Sequence, residues 1–393
     1  MKFSEMPLSA PVQKKLADAN FEIPTPVQEA AIPPALEGKD LLATAQTGTG
    51  KTLAFLIPII ERMLQSQSKG LEALVLVPTR ELALQVAEEY EKLRPSKLPI
   101  AAKVIGGVPE RRQLQDTKKA RLMVATPGRL VDFLQRRLVN LSNVQVLVLD
   151  EADRMLDMGF LPSLRQILNA LPRERQTMCF SATLESSVVA MINDSMRNPV
   201  RVALGSVLKP STTVDLQAYE VPAMQKADAL RELLYEEKGQ TLVFARTKRG
   251  TERLAKSLVR DGFSAAMIHG DRSQSQRIKA LAGFDDGEFQ VLVATDIAAR
   301  GIHVTGVAHV INYDLPQIAE DFIHRVGRTG RAGLRGKATT LVSGAEVLEL
   351  NRMERTLKLR IQRRALGGVP QQREHKNTLA TRTLTRLPGE VFV

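Results

Sequence analysis

Apolar residues in this chain gather in short unbroken runs instead of alternating with polar ones. In the first half the runs are Leu41–Ala45, Ala73–Val77, Leu122–Ala125, Val144–Leu149 and Met178–Phe180. In the second half they are Thr241–Ala245, Ala265–Ile268, Val291–Ala294, Ala308–Ile311 and Ala338–Val342. A strand with one wet face alternates, so continuous runs predict strands covered on both faces. Segments with apolar residues one turn apart separate the runs and predict helices, among them Thr52–Leu64, Glu81–Leu93 and Thr251–Arg260. Strand and helix in regular succession predict an α/β fold on parallel sheets. The succession occurs on both sides of Asn198–Val214, a stretch with two prolines, a glycine and a Ser/Thr cluster that reads as a linker. The expected organisation is a first domain over residues 1–204, a linker over 205–213, a second domain over 214–366 and a basic flexible tail over 367–393. A last helix is expected from Glu346 to about Leu366, where Val347, Leu350, Met353, Leu357 and Ile361 recur about one turn apart.

Composition narrows the function classes. A chain of 393 residues, 44% of them hydrophobic, can bury more than one core. Lys and Arg exceed Asp and Glu by 55 to 43, a net charge of +12. That excess suits a polyanionic partner as readily as a solvated basic face. With no Trp, four Tyr and twelve Phe, few aromatic platforms exist for stacking bases. A bound nucleic acid would therefore be held by its backbone, with little sequence preference. The single cysteine, Cys179, excludes an intrachain disulfide and a Cys-rich zinc cluster, and its apolar surroundings predict a buried thiol. No apolar run approaches the roughly 20 residues of a membrane span, and the N-terminus lacks a leader's apolar stretch. A cytoplasmic protein without membrane contact is expected.

The chemistry lies just after the apolar runs, where open α/β sheets bind ligands. Ala45-Gln-Thr-Gly-Thr-Gly-Lys-Thr52 resembles the phosphate-binding loop G-x-x-x-x-G-K-[ST], with Ala45 in place of the first glycine. Thr47, Gly48, Thr49 and Gly50 would turn backbone N–H groups onto phosphates, Lys51 would reach the β and γ phosphates of ATP, and Thr52 would hold Mg²⁺. Asp150-Glu-Ala-Asp153 follows a strand run; Asp150 suits Mg²⁺ and Glu151 the attacking water. In the second half, His324-Arg-Val-Gly-Arg-Thr-Gly-Arg331 places Arg328 and Arg331 where they could stabilise charge on a phosphoryl group held by the other domain. Read alone, that segment is an ordinary basic turn.

In this order the motifs resemble the DEAD-box family of RNA helicases over roughly Phe3 to Leu341, and the compact bacterial, RhlE-like type within it. The resemblance implies two RecA-like parallel-sheet domains joined by a short linker, with ATP and Mg²⁺ between them. Phe21-Glu-Ile-Pro-Thr-Pro-Val-Gln28 looks like the family's adenine-reading motif, in which Phe21 packs on the base and Gln28 bonds its edge. It implies RNA-backbone contacts at Thr79, Arg80, Gly106, Gly107, Thr126, Pro127 and Arg129 in the first domain. In the second it implies them at Arg246, Gly270, Gln274, Arg277, Thr295, Arg300 and Gly301. Ser181 and Thr183, with Asp153 and His324, would couple hydrolysis to strand separation. Asp296 and the position of His303 would serve the nucleotide. The family usually has an acidic residue where this chain has His303, and the resemblance then implies a higher ATP KM or looser coupling.

The expected activity is RNA-stimulated ATP hydrolysis that opens short duplexes locally, without processive tracking. An ATP-gated RNA clamp with slow turnover is a second reading, and a DNA helicase a third, separable by the 2′-OH. A monomeric core and ribonucleoprotein or RNA-decay partners are expected.

Overall fold

In the computed structural model, residues 1–45, 49–68, 70–183, 189–190, 195–203, 213–299, 307–330 and 335–365 are described. They form two seven-stranded sheets, each parallel throughout. The first holds β1 (Leu41–Thr44), β2 (Ala73–Leu76), β3 (Ala102–Val104), β4 (Leu122–Ala125), β5 (Val146–Leu149), β6 (Gln176–Ser181) and β7 (Val200–Ala203) in the order β3-β4-β2-β5-β6-β1-β7. The second holds β8 (Val214–Glu220), β9 (Thr241–Phe244), β10 (Ala265–Ile268), β11 (Val291–Ala294), β12 (His309–Asn312), β13 (Gly336–Val342) and β14 (Gln362–Arg364) in the order β10-β11-β9-β12-β13-β8-β14.

The unbroken apolar runs became the central strands because helices cover both faces of each sheet. β2, β4 and β5 are buried along their whole length, and separate apolar clusters lie on each face of the sheet. The helix Lys51–Gln65 shows how this positions the site. Burial surrounds almost its whole circumference, and Phe55 meets Phe180 of β6 with ring centroids 5.4 Å apart. Such a tilted aromatic pair adds about 0.5–1.5 kcal/mol beyond the area it buries. The helix is thereby fixed over the sheet, with its N-terminus at the end of β1.

Two expectations need correction. Asn198–Val214 is not wholly a linker, because Val200–Ala203 pairs with β1 and β8 begins at Val214; residues 204–212 lie outside the described residues. The last helix ends at Leu357, not near Leu366, because Lys358 turns into the left-handed region with φ +51°. Ile361 is buried as its spacing suggested, but it lies beyond the helix, directly before β14, which joins β8. The tail over 367–393 lies outside the described residues. No described helix is long and apolar enough to cross a membrane.

Candidate active site and nucleic-acid interface

Sheet order sorts the sequence motifs into two groups. β5, β6 and β1 are neighbours, so their carboxyl ends bring the Asp150 turn, the Ser181 turn and the phosphate-loop stretch together. β3, β4 and β2 are also neighbours, and they carry Gly106, Thr126 and Thr79 at the other half of the same edge. The second sheet repeats the arrangement, with Arg246 after β9, Gly270 after β10 and Thr295 after β11.

In the first group, Ala45 N–H donates to Ser181 O at 3.1 Å, which ties the start of the loop to β6. Gly50 adopts φ +91° ahead of the helix Lys51–Gln65, a conformation open to glycine at little cost. A Cβ there would also collide with the Gln28 amide. Gln28 accepts from Thr25 N–H at 2.8 Å and donates to Gly50 O at 3.0 Å, so the helix Pro26–Leu36 is anchored to Gly50. Phe3 N–H donates to Glu22 O at 3.0 Å beside the half-buried Phe21. Lys51 is buried and donates to Ala45 O at 3.1 Å, so its ammonium lies at the end of β1. Thr52 is half-buried in the first helical turn.

Asp150, Glu151 and Asp153 are all buried. Burial pushes the Asp150 carboxyl up from 3.8 to about 6; Lys51 opposes the rise and Glu151 adds to it. A carboxylate held in the neutral form by burial fits a divalent cation, which would restore its charge; the Thr52 hydroxyl is of the same ligand type. Burial acts on Glu151 in the same direction, but Arg154, Lys51, Arg328 and His324 outweigh it and hold its pKa below the ordinary value. Arg328 and His324 belong to the second domain. The two domains are thus closed around Glu151, and Arg154 shares a cavity wall with Asp321, His324, Arg325 and Arg328.

Asp153 faces the neighbouring strand. Its Oδ2 accepts from Ala182 N–H at 2.9 Å, Thr183 N–H at 2.8 Å and the Thr183 hydroxyl at 3.1 Å. The Ser181 hydroxyl accepts from Asp153 N–H at 3.3 Å and donates to Thr183 O at 2.6 Å. His324, on the second domain, has its Nδ1 3.9 Å from Asp321 Oδ1. Asp296 accepts two bonds from Arg325, at 2.6 and 2.7 Å. Arg325 also bonds Asn312 and Asp314 O, and its guanidinium lies over the Phe244 ring.

In the second group, Thr79 caps the helix Arg80–Leu93 by accepting from Leu82 N–H at 3.2 Å. Arg80 lies against Gly106 and Gly107, where a Cβ would strike its guanidinium. Thr126 precedes the helix Pro127–Gln135 with Pro127 at its first position, and Arg129 reaches Ile105 O, Val108 O and Asp132. Arg246 is exposed and bonds Leu315 O. Gly270 is exposed beside Lys248, and Thr295 is buried with its N–H on Ile268 O. Gln274 and Arg277 meet Glu81 of the first domain: Gln274 Nε2 donates to Oε1 at 3.0 Å, and Arg277 Nη2 stands 2.9 Å from Oε2. Thr47, Gly48, Arg300, Gly301, His303 and Arg331 lie outside the described residues.

Sequence reasoning missed Glu81, Arg154 and Arg325. Each lies inside or beside a motif that it had singled out; Glu81 bonds Gln274 and Arg277 across the domain boundary, Arg325 bonds Asp296 29 residues away, and Arg154 pairs with Glu151 one turn before it.

Comparison with known proteins agrees with this geometry. A DEAD/DEAH box helicase family profile matches residues 25–192, and a helicase conserved C-terminal domain profile matches residues 225–333. The ATP-dependent RNA helicase CshA of Listeria monocytogenes is 43% identical over 363 residues, covering 92% of this chain and 70% of that one. The DEAD-box ATP-dependent RNA helicase CshA of Bacillus subtilis is 41% identical over 365 residues, covering 92% and 73%. Among solved structures, Saccharomyces cerevisiae Dbp5 bound to RNA and ADP BeF3 is similar with a TM-score of 0.83 at 29% identity, over 92% of this chain and 95% of that one. With both halves matched in order and this identity held along nearly its whole length, the chain belongs to the DEAD-box family of ATP-dependent RNA helicases.

Proposed function

We propose that this ATP-dependent RNA helicase opens short RNA duplexes locally, by closing its domains on one strand and bending it so that the partner strand cannot follow. Phe21 and Gln28 hold adenine, the loop from Thr47 to Thr52 holds the phosphates, and Asp296 and His303 serve the nucleotide from the second domain. Thr52 and Asp150 would hold Mg²⁺, which when bound supplies charge neutralisation at the β and γ phosphates. Glu151 orients the attacking water and takes its proton, while Lys51, Arg328 and Arg331 stabilise the charge that develops on the phosphoryl oxygens.

The observation that carries this reading is the charge around Glu151. Lys51 and Arg154 act on it from one domain, Arg328 and His324 from the other. Hydrolysis then depends on closure, and closure depends on whatever bridges the RNA-facing halves. The bridge would be RNA on Thr79, Arg80, Gly106, Gly107, Thr126, Pro127 and Arg129 of one domain and on Arg246, Gly270, Gln274, Arg277, Thr295, Arg300 and Gly301 of the other. Backbone amides, Thr hydroxyls and Arg side chains recognise phosphate and 2′-OH and leave the bases unread. The Asp153–Ser181–Thr183 group, with His324 across the cleft, would relay the state of the nucleotide to that surface.

A monomer working in the cytoplasm on ribonucleoproteins or with RNA-decay factors is consistent with this reading. Single-turnover unwinding of one-turn and three-turn RNA duplexes tests it. Yield should collapse on the longer duplex and fall when deoxy strands replace ribose. Equal yields on both lengths would mean processive tracking, and tight RNA binding with negligible ATP turnover would mean a clamp.

A further inference from the structure

Four strands form the sheet edges among the described residues, and three of them carry a cation. β3 has Lys103, β7 has Arg201, and β14 has Arg363 and Arg364. Edge strands commonly carry such charges, which discourage pairing with other chains. β10 reads Ala-Ala-Met-Ile and carries none. Val291 N–H donates to Ser264 O, and Thr295 N–H donates to Ile268 O. The even-numbered residues therefore direct their backbone groups at β11. Ala265 and Met267 direct theirs at the open side, where no described strand pairs.

Beside that open side runs a groove of ≈ 650 Å³ between β10 and the helix Lys248–Arg260. Arg249, Arg253, Lys256 and Arg260 line it at helical spacing; all four are exposed, and among the described residues none of their side chains forms an ion pair or hydrogen bond. The floor is apolar, made by Ala265, Met267 and Val259, the last 55% exposed. Glu252 also lines the groove, with its carboxylate 3.4 Å from His269 at the end of β10.

We propose that this edge is a docking site for an extended acidic segment of a protein partner, added as a further strand beside β10 under the cations of the helix Lys248–Arg260. The open backbone of Ala265 and Met267 supplies the ladder, which is the usual source of affinity when a peptide extends a sheet. The charge spacing fits as well. At about 1.5 Å per residue the four cations recur about every 5.5 Å, close to the roughly 6.6 Å between alternate residues of a strand. A partner strand with acidic residues at alternate positions would face the cations, and its apolar residues would cover Val259 and Met267. RNA fits less well: the groove has no aromatic lining for bases, phosphates make no use of an apolar floor, and open carbonyls repel them.

The test uses the full chain and a labelled heptapeptide alternating Asp and Val, with fluorescence anisotropy for binding and hydrogen exchange for the Ala265 and Met267 amides. The peptide should bind and slow exchange at both amides. The same peptide N-methylated at alternate amides should bind at least about tenfold more weakly, because it cannot form the ladder. The variant R253E/K256E should weaken the parent peptide by about tenfold while its RNA-stimulated ATP hydrolysis stays unchanged. Absence of peptide binding, equal binding of the N-methylated form, or unaltered amide exchange would overturn the proposal. So would a variant that loses affinity for single-stranded RNA and keeps the peptide, since the groove would then be an RNA track.

Discussion

Replacing Glu81 with Ala should loosen domain closure while leaving each domain intact. Glu81 belongs to the first domain, yet its carboxylate takes a bond from Gln274 at 3.0 Å and faces Arg277 at 2.9 Å, with all three residues buried. A hydrogen bond to a charged group contributes about 1.5–3 kcal/mol, and removing one partner of a buried ion pair costs about 3–5 kcal/mol. In the open state water solvates these groups, so part of the gain is offset. A net loss of about 2–4 kcal/mol in closure follows, or about 30- to 700-fold in the closure equilibrium at 1.4 kcal/mol per factor of ten. Dyes on the two domains report closure by energy transfer as single-stranded RNA is added with an ATP analogue. Half-closure should need at least about tenfold more RNA in Glu81→Ala. Glu81→Gln should fall between, since its amide can accept from Gln274 but offers Arg277 no charge. Glu81 also lies in the first turn of the helix Arg80–Leu93, where an acid contributes about 0.3–1 kcal/mol to the helix; the thermal midpoint of the open protein should therefore shift only slightly. A double-mutant cycle with Arg277→Met should return a coupling energy only in the closed state. Closure of Glu81→Ala at the wild-type RNA concentration would refute the reasoning.

Other perturbations are equally direct. Because the folded pKa of Asp150 is raised to about 6 from 3.8, the folded protein binds the extra proton between those values. The group's contribution is thus fully present below pH 3.8 and lost as pH rises through 6. Asp150→Asn should accordingly raise the melting temperature of nucleotide-free protein at pH 7.5, by up to about 2–3 kcal/mol of stability, while ATP hydrolysis is lost; a lower melting temperature contradicts this. Asp153→Ala removes the acceptor of three bonds from Ala182 and Thr183, so unwinding should fall by at least about tenfold while ATP hydrolysis changes by about threefold or less; equal losses in the two assays would deny a coupling role. His303→Asp introduces the acid that the resemblance implies at this position, and it should lower the ATP KM or raise the unwinding yield per ATP. No change in either quantity dismisses a role for His303.

The central strands were legible because parallel sheets bury both strand faces and leave unbroken apolar runs. β3, β7, β8 and β14 were not, and each has a polar residue within it: Lys103, Arg201, Asp215 and the Gln362–Arg364 stretch. Three of these are sheet edges, where one side faces solvent and the apolar signal fades. The error at the last helix has a similar cause. Ile361 fits the helical period and is indeed buried, but the backbone has already turned at Lys358. At the site, the turns after β1, β5 and β6 could be read because their chemistry is contiguous in the chain. Gln274 and Arg277 were read as RNA contacts, and their bond to Glu81, up to 196 residues away in sequence, could be found only in three dimensions.

On the proposed mechanism, hydrolysis awaits closure on RNA, with Glu151 as the group that closure completes. ATP hydrolysis at fixed Mg²⁺, with and without single-stranded RNA, for the wild type and Glu151→Gln, tests it most directly. Strong stimulation by RNA that disappears in Glu151→Gln, with RNA still bound, is the predicted result. Hydrolysis that is equally fast without RNA, or that survives in Glu151→Gln, would contradict it.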